Sequence, residues 1–306
     1  MYISIGSVII DDIVMPDGTT HMGCLGGGGV HAVMGMRVWS EQVGLVANIG
    51  SDFPSSLMNK LEKAFDVQGL VKCDMSTIRA WQLFETDGTR REVIRTDLDE
   101  FKELKPDVEA FPEVYDNLQG VHLHCQGEEV ASWVQMLRQR GTPFIFWEPW
   151  HIDCIAENRG NLINILPMVD CVSPNLEEAR TLLGLHETDD LLDRFLEYGA
   201  PKVVIREGAE GSTFADSKGN RIRVPAAEVE KIVDETGAGN AYCGGLVVGF
   251  VNSDDPREAL CRAAVSASFP LEQFGALFSL KNIKLRAESR YQSCMAAVLD
   301  LNRALQ

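Results

Sequence analysis

The sequence predicts an α/β fold with a mostly parallel sheet covered by helices on both faces, and three observations carry that expectation. Short apolar runs recur at Tyr2–Ile5, Val43–Ile49, Gly120–His124, Pro143–Trp147, Cys171–Val172 and Lys202–Ile205. Runs of this length without polar alternation read as strands buried on both faces. Between them lie patterns with apolar residues three and four apart, over Glu129–Arg140, Asn175–Leu185 and Asp189–Tyr198, which read as amphipathic helices. No long linker, low-complexity tract or internal repeat breaks the rhythm, so one main domain over residues 1–306 is expected.

Two segments depart from it. Residues 78–96 alternate in character and contain Asp87-Gly88, and residues 8–24 contain Asp17-Gly18 between Ile13-Val14-Met15 and His21-Met22. Asp-Gly pairs suit two-residue hairpin turns, because glycine takes positive φ without steric cost. A small antiparallel sheet projecting from the main domain as a lid is one reading; ordinary surface hairpins are the other.

The charge balance narrows the partners. Forty-five acidic against 28 basic side chains give a formal charge of −17. That surface repels phosphodiester backbones and anionic headgroups, so neither nucleic acid nor membrane is an expected partner. Local backbone N–H groups can still hold an anion. The eight cysteines form no C-x-x-C pair, which suits free thiols in a reducing compartment. The first residues lack the basic and small-residue features of a signal peptide, and no apolar stretch nears the roughly 18 residues of a membrane span. A cytoplasmic location is expected.

The most informative stretch runs Ile232-Val233-Asp234-Glu235-Thr236-Gly237-Ala238-Gly239-Asn240 and continues as an apolar helical pattern to Phe250. Glycines let the chain turn sharply and approach a ligand. The first N–H groups of the following helix have no intrahelical partner and carry the positive end of its dipole. Together they form a seat for phosphate. Gly244, Gly245 and Gly249 would each cost about 1 kcal/mol in an exposed helix, so close packing against the sheet is expected there. A plain glycine-rich strand-to-helix turn is the alternative.

This segment resembles the Asp-Thr-x-Gly-Ala-Gly-Asp signature of the ribokinase/PfkB-like carbohydrate kinases. Other pieces follow that family's order over nearly the whole chain. Gly6 with Asp11 is similar to the opening strand and its hydroxyl-binding aspartate, and Gly26-Gly27-Gly28-Gly29-Val30-His31-Ala32 to the paired-glycine substrate motif. Gly50-Ser51-Asp52 resembles a Gly-x-Asp, Asn175-Leu176-Glu177-Glu178 an Asn-x-x-Glu, and Arg206-Glu207-Gly208-Ala209-Glu210-Gly211 the nucleotide-side strand and turn. Ala259–Ser268 with Gly275-Ala276 is similar to the helix and loop beside the adenine.

The resemblance implies a ribokinase-like fold and ATP-dependent transfer of a phosphoryl group to a hydroxyl of a sugar or related small molecule. It implies ATP and Mg²⁺, leaves a monovalent cation open, and brings a homodimer through the lid from family habit. Gly237, Ala238, Gly239 and Asn240 would form the catalytic turn. Asp11, Gly26, Gly27 and His31 would meet the acceptor, and Asn175, Arg206, Gly208, Gly211 and Gly275 the nucleotide. Glu178 would hold Mg²⁺ through water, with Asp234 a second candidate. The sequence departs at Asn240, where the family carries its general-base aspartate, because an amide can orient a hydroxyl but cannot accept its proton. Asp234 or Glu235 are candidate substitutes. His31, where an asparagine is usual, is another, and Glu148 replaces a common aspartate. A non-standard acceptor follows as an expectation. So does the alternative of a catalytically impaired kinase fold that binds a small molecule or nucleotide in a regulatory or scaffold role.

Gly27-Gly28-Gly29-Val30-His31-Ala32 fits a loose dinucleotide fingerprint, which requires a strand immediately before it; His21–Leu25 reads as a poor one. No P-loop motif is present. His122 and His124 share a strand face, and no third metal ligand is evident. Trp133, Met136, Leu137, Trp147 and Trp150 read as core, and Thr188 as a helix cap.

Overall fold

In a computed structural model, which describes residues 1–87, 89–97 and 104–300, the chain forms two sheets. The larger has ten strands: β1 (Tyr2–Ile5), β4 (Val43–Gly50), β5 (Asp66–Cys73), β8 (Gly120–Leu123), β9 (Ile145–Trp147), β10 (Cys171–Val172), β11 (Lys202–Arg206), β12 (Ser212–Asp216), β13 (Arg221–Val224) and β14 (Leu299–Asp300). Their order is β14-β13-β12-β11-β10-β9-β8-β1-β4-β5. From β11 to β5 every pairing is parallel, and β12, β13 and β14 join antiparallel at the far edge.

Helices cover both faces because the strands supply apolar side chains to both. Phe144, Phe146, Val204 and Phe214 belong to one core and Ile145, Trp147, Val203 and Ile205 to the other, the two-residue alternation of a pleated strand. The first core is closed by α1 (Gly28–Arg37), α7 (Ala238–Asn252) and α8 (Pro256–Ser268), with α2 (Ser55–Ala64) packed on β5 and α9 (Ile283–Ala296) against α8. The second is closed by α3 (Gly127–Gln139), α4 (Arg159–Ile165), α5 (Leu176–Leu183) and α6 (Thr188–Glu197). Helix α6 begins at Thr188, but the Thr188 hydroxyl donates to Glu207 Oε1 at 2.7 Å instead of capping the helix.

Helix α7 shows why its glycines are there. A Cβ on Gly244 would come under 3.0 Å of the Ala32 backbone, and one on Gly245 or Gly249 would do the same to Ser266 or Ala259. The close approach is therefore to α1 and α8, not to the sheet as the sequence suggested. Buried between two helices, α7 has no polar face to alternate with.

The smaller sheet, β3 (Thr20–Gly26), β2 (Ile9–Val14), β6 (Arg79–Phe84) and β7 (Arg90–Ile94) in that order, is built from the two segments that broke the pattern. It is mixed rather than antiparallel, since β2 pairs β6 in parallel and so joins the two hairpins. Met15 N–H donates to Thr19 O, and Gly18 takes φ +84°, so the first connection is a three-residue loop and not the two-residue turn expected. In the second hairpin Glu85 N–H donates to Thr89 O; Gly88 lies outside the described residues. Residues 21–25 do form a strand, contrary to the sequence reading. That strand belongs to the small sheet while α1 leads to β4 in the large one, so no dinucleotide-type βαβ unit arises. Asp11 also sits on β2 and not on the opening strand.

Candidate active site

The parallel strands end where the small sheet leaves the main one, and open α/β sheets bind ligands outside their carboxyl ends. His124 follows β8, Glu148 follows β9, Ser173 follows β10 and Arg206 closes β11. Across from them α7 begins. Asp234, buried at 2% exposure, accepts the Thr236 N–H on Oδ1 at 2.8 Å, and Val233 N–H donates to Leu271 O. Those bonds set the turn that enters α7. Gly237 then takes φ +75°, ψ 1°, the left-handed region that glycine occupies without strain. A side chain there is excluded twice, because a Cβ would fall on the His31 ring. The opening N–H groups of α7, a fifteen-residue helix, thus face the strand ends as an anion seat.

Behind the seat lies a buried charge network. Glu148, 2% exposed, accepts from Arg206 on Oε1 at 2.6 Å and from Asn240 Nδ2 on Oε2 at 3.0 Å. His122 Nε2 also reaches Oε2 at 2.9 Å, and His122 Nδ1 meets Ser4 Oγ at 2.9 Å. Burial opposes ionisation of Glu148, but the Arg206 guanidinium and the His122 hydrogen bond hold its carboxyl well below the usual range. Arg206 further donates to Ser173 O at 3.1 Å and lies 3.6 Å from Glu178 Oε2. A Cβ on Gly239 would fall on the Arg206 guanidinium, so the cation packs directly beneath the anion seat.

Toward the small sheet Asp11, 3% exposed, accepts from Gln82 Nε2 at 3.0 Å. Gln82 also donates to Glu92 Oε1 at 2.7 Å and accepts from Arg90 at 2.6 Å. Burial pushes the Asp11 carboxyl up to about 6, against the Gln82 hydrogen bond and with the help of Glu92. A Cβ on Gly26 would fall on the Asp11 carboxylate, and Gly27, with φ +97°, opens α1 against Ser7 O. His31 is buried and neither ring nitrogen has a hydrogen-bond partner. Burial, with Arg90 nearby, lowers its pKa to about 4. Its imidazole is therefore neutral near pH 7, with one nitrogen able to accept.

On the other side Asn175 caps α5: its Oδ1 accepts Glu178 N–H and its own N–H donates to Glu178 Oε2, both at 2.8 Å. This reciprocal capping box fixes Asn175 and Glu178 beside Arg206. Gly208, at φ +62°, and Gly211, at φ +96°, form the turn from β11 to β12. Gly275 is placed apart from them, against Cys24 and Leu25 of β3, where Ala276 N–H donates to Leu25 O at 2.7 Å.

His122, Glu148 and Cys243 offer ligand atoms within 4.8 Å of one another, so His122 finds two possible co-ligands that the sequence did not reveal, and His124 is not part of the group. The Arg206 guanidinium on Glu148 already supplies the positive charge there, and a second cation would be repelled. For ATP with Mg²⁺ the residues fit: the glycine turn leaves its N–H groups uncovered by side chains, and Asn175 and Glu178 are held at the strand ends.

Sequence reasoning missed Gln82, Arg90, the bond of His122 to Glu148 and the partnership of Glu148 with Asn240. Two-residue alternation in β6 and β7 signals that Gln82, Arg90 and Glu92 share a face. Nothing local signals the rest.

Fold and site together define an α/β framework with an anion seat at the carboxyl ends of its parallel strands. The pfkB family carbohydrate kinase model matches residues 3–283, and the chain belongs to that family. An uncharacterised protein of Schizosaccharomyces pombe is 26% identical, covering 92% of this chain and 87% of its own length. A cytidine kinase of Thermococcus kodakarensis is 27% identical over 80% of this chain and 87% of its own. A structure described as a putative ribokinase II from E. coli with ATP and Mg²⁺ superposes with a TM-score of 0.76 at 18% identity, covering 94% and 99% of the two chains. That last likeness concerns the fold.

Proposed function

We propose that this chain transfers a phosphoryl group from ATP to a hydroxyl of a sugar or nucleoside. The observation that carries the reading is the anion seat at Gly237–Asn240, backed by Arg206, with His31 against its first glycine and Asp11 within electrostatic range of Asp234 before it. Phosphoryl transfer depends mainly on positioning and charge stabilisation, which such a seat supplies. Asp11 accepts hydrogen bonds from acceptor hydroxyls, and neutral His31 offers a further acceptor beside the turn. Glu178 and Asn175 hold Mg²⁺ through its waters, consistent with that ion's reluctance to dehydrate. Asp234 shapes the turn, since one of its oxygens already holds Thr236. The small sheet covers the acceptor as a lid. A nucleoside is favoured among acceptors by the cytidine kinase relative.

The second reading, binding without turnover, is favoured by Asn240, which stands where the family signature has its proton-accepting aspartate. Purified protein with ATP, Mg²⁺ and a panel of nucleosides and sugars separates the two. Acceptor-dependent ADP release is expected. Calorimetric binding of nucleotide with no ADP release from any acceptor would replace the first reading with the second.

A further inference from the structure

The amide of Asn240 has a fixed sense. Glu148 Oε2 is an acceptor, so the atom facing it at 3.0 Å is Nδ2, the donor. Glu148 is buried while Asn240 is partly exposed. The carbonyl oxygen, diverging from Nδ2 across the same planar group, therefore turns to the open side of the site. Glu148 cannot release this demand for a donor. Its other oxygen is taken by Arg206 and Oε2 is shared with His122, and ionised buried carboxylates need every such partner.

We propose that Glu148 dictates the amide at position 240: it is a positioning residue that anchors Asn240 Nδ2 and thereby aims the Asn240 carbonyl oxygen at the acceptor hydroxyl. This rests on the kinase reading for the identity of the acceptor, but the pairing of 148 with 240 does not. Asn240 is then not a degraded aspartate, and replacing it alone does not recreate a base. Asn240→Asp sets two carboxylates about 3 Å apart, and like charges at such range cannot both ionise freely.

The groups facing this pair are His122 and His124 from the end of β8, Arg206 from β11, Glu178 from α5, His31 from α1 and Cys243 one turn along α7. Only Arg206 is a fixed cation among them, and Glu148 already engages it.

The test is a four-protein cycle of parent, Asn240→Asp, Glu148→Gln and the double variant, melted between pH 5 and pH 8. In Asn240→Asp the new acid has a raised folded-state pKa. Its penalty is small at pH 5, where the protonated acid still donates to Glu148, and grows as pH rises. A Tm deficit on the order of 5 °C at pH 8 that shrinks toward pH 5 is expected, and the double variant should lose that pH dependence. In any acceptor assay that turns over, Asn240→Asp gains nothing below the raised pKa and the double variant gains. A pH-independent Tm change in Asn240→Asp would overturn the proposal without Glu148→Gln having to fold. So would equal effects of Asn240→Asp in both backgrounds. If no acceptor turns over, the melts still decide the pairing, and only the kinase reading falls.

Discussion

Replacing Arg206 by methionine removes the cation beneath the anion seat and keeps most of the volume. The guanidinium makes three contacts that matter: Glu148 Oε1 at 2.6 Å, Ser173 O at 3.1 Å and Glu178 Oε2 at 3.6 Å. With it gone, Glu148 remains 2% exposed and keeps His122, Asn240 and the Cys243 thiol. Breaking a buried pair from one side typically costs about 3–5 kcal/mol. Unfolding entropy of roughly 2 cal/mol/K per residue makes that a Tm loss of about 5–8 °C for a chain of this length. The loss is pH-dependent, and the sign follows from Glu148. In the parent its pKa is depressed, so its stabilisation is present above the unfolded value of about 4.3 and lost as pH falls. Without Arg206, burial dominates and the folded pKa is raised, so the penalty is full near pH 7 and fades on acidification. Melts of parent and Arg206→Met from pH 4.5 to 8 should diverge most at the alkaline end, and adding Glu148→Gln should recover part of the loss. A gap under about 1 kcal/mol at pH 7, or one that does not change with pH, would refute the idea that this pair is a buried electrostatic unit.

Three further outcomes follow from single contacts. Asp11 is held at about 6 by burial; its folded pKa exceeds its unfolded one, so it costs stability as pH rises from about 4 through 6. Asp11→Asn should therefore raise Tm at pH 7.5 with little change below pH 4, and should remove any rise in acceptor KM below pH 6. Gly237→Ala carries a left-handed backbone cost of about 1–2 kcal/mol plus overlap with His31, whereas Gly18→Ala has the same kind of φ but nothing within 4 Å of the new Cβ. Urea midpoints should fall more for Gly237→Ala, and nucleotide affinity only for it. Gly244→Val forces α1 and α7 apart at the Ala32 backbone and should lower stability by at least about 1–3 kcal/mol in urea titrations.

The fold class was legible because the determining pattern is local. Uninterrupted runs such as Tyr2–Ile5 and Lys202–Ile205 can be buried on both faces only in a covered sheet, and Gly237 declares the turn before α7 by its own backbone freedom. Residues of one motif, such as Asn175 and Glu178, also find each other within one helical turn. What crosses the chain was not legible. The bulk of Ser266 and Ala259, not the sheet, explains Gly245 and Gly249, and β2 meets β6 in parallel because their hairpins pack side by side. Asn240 meets Glu148 across 92 positions, and Arg206 and His122 meet it across 58 and 26. Sequence alone supplied the anion seat, whose chemistry lies in a few consecutive N–H groups. The charge beneath it was decided by tertiary structure, since only the adjacency of strand ends brings carboxylate, guanidinium, imidazole and amide within hydrogen-bond reach.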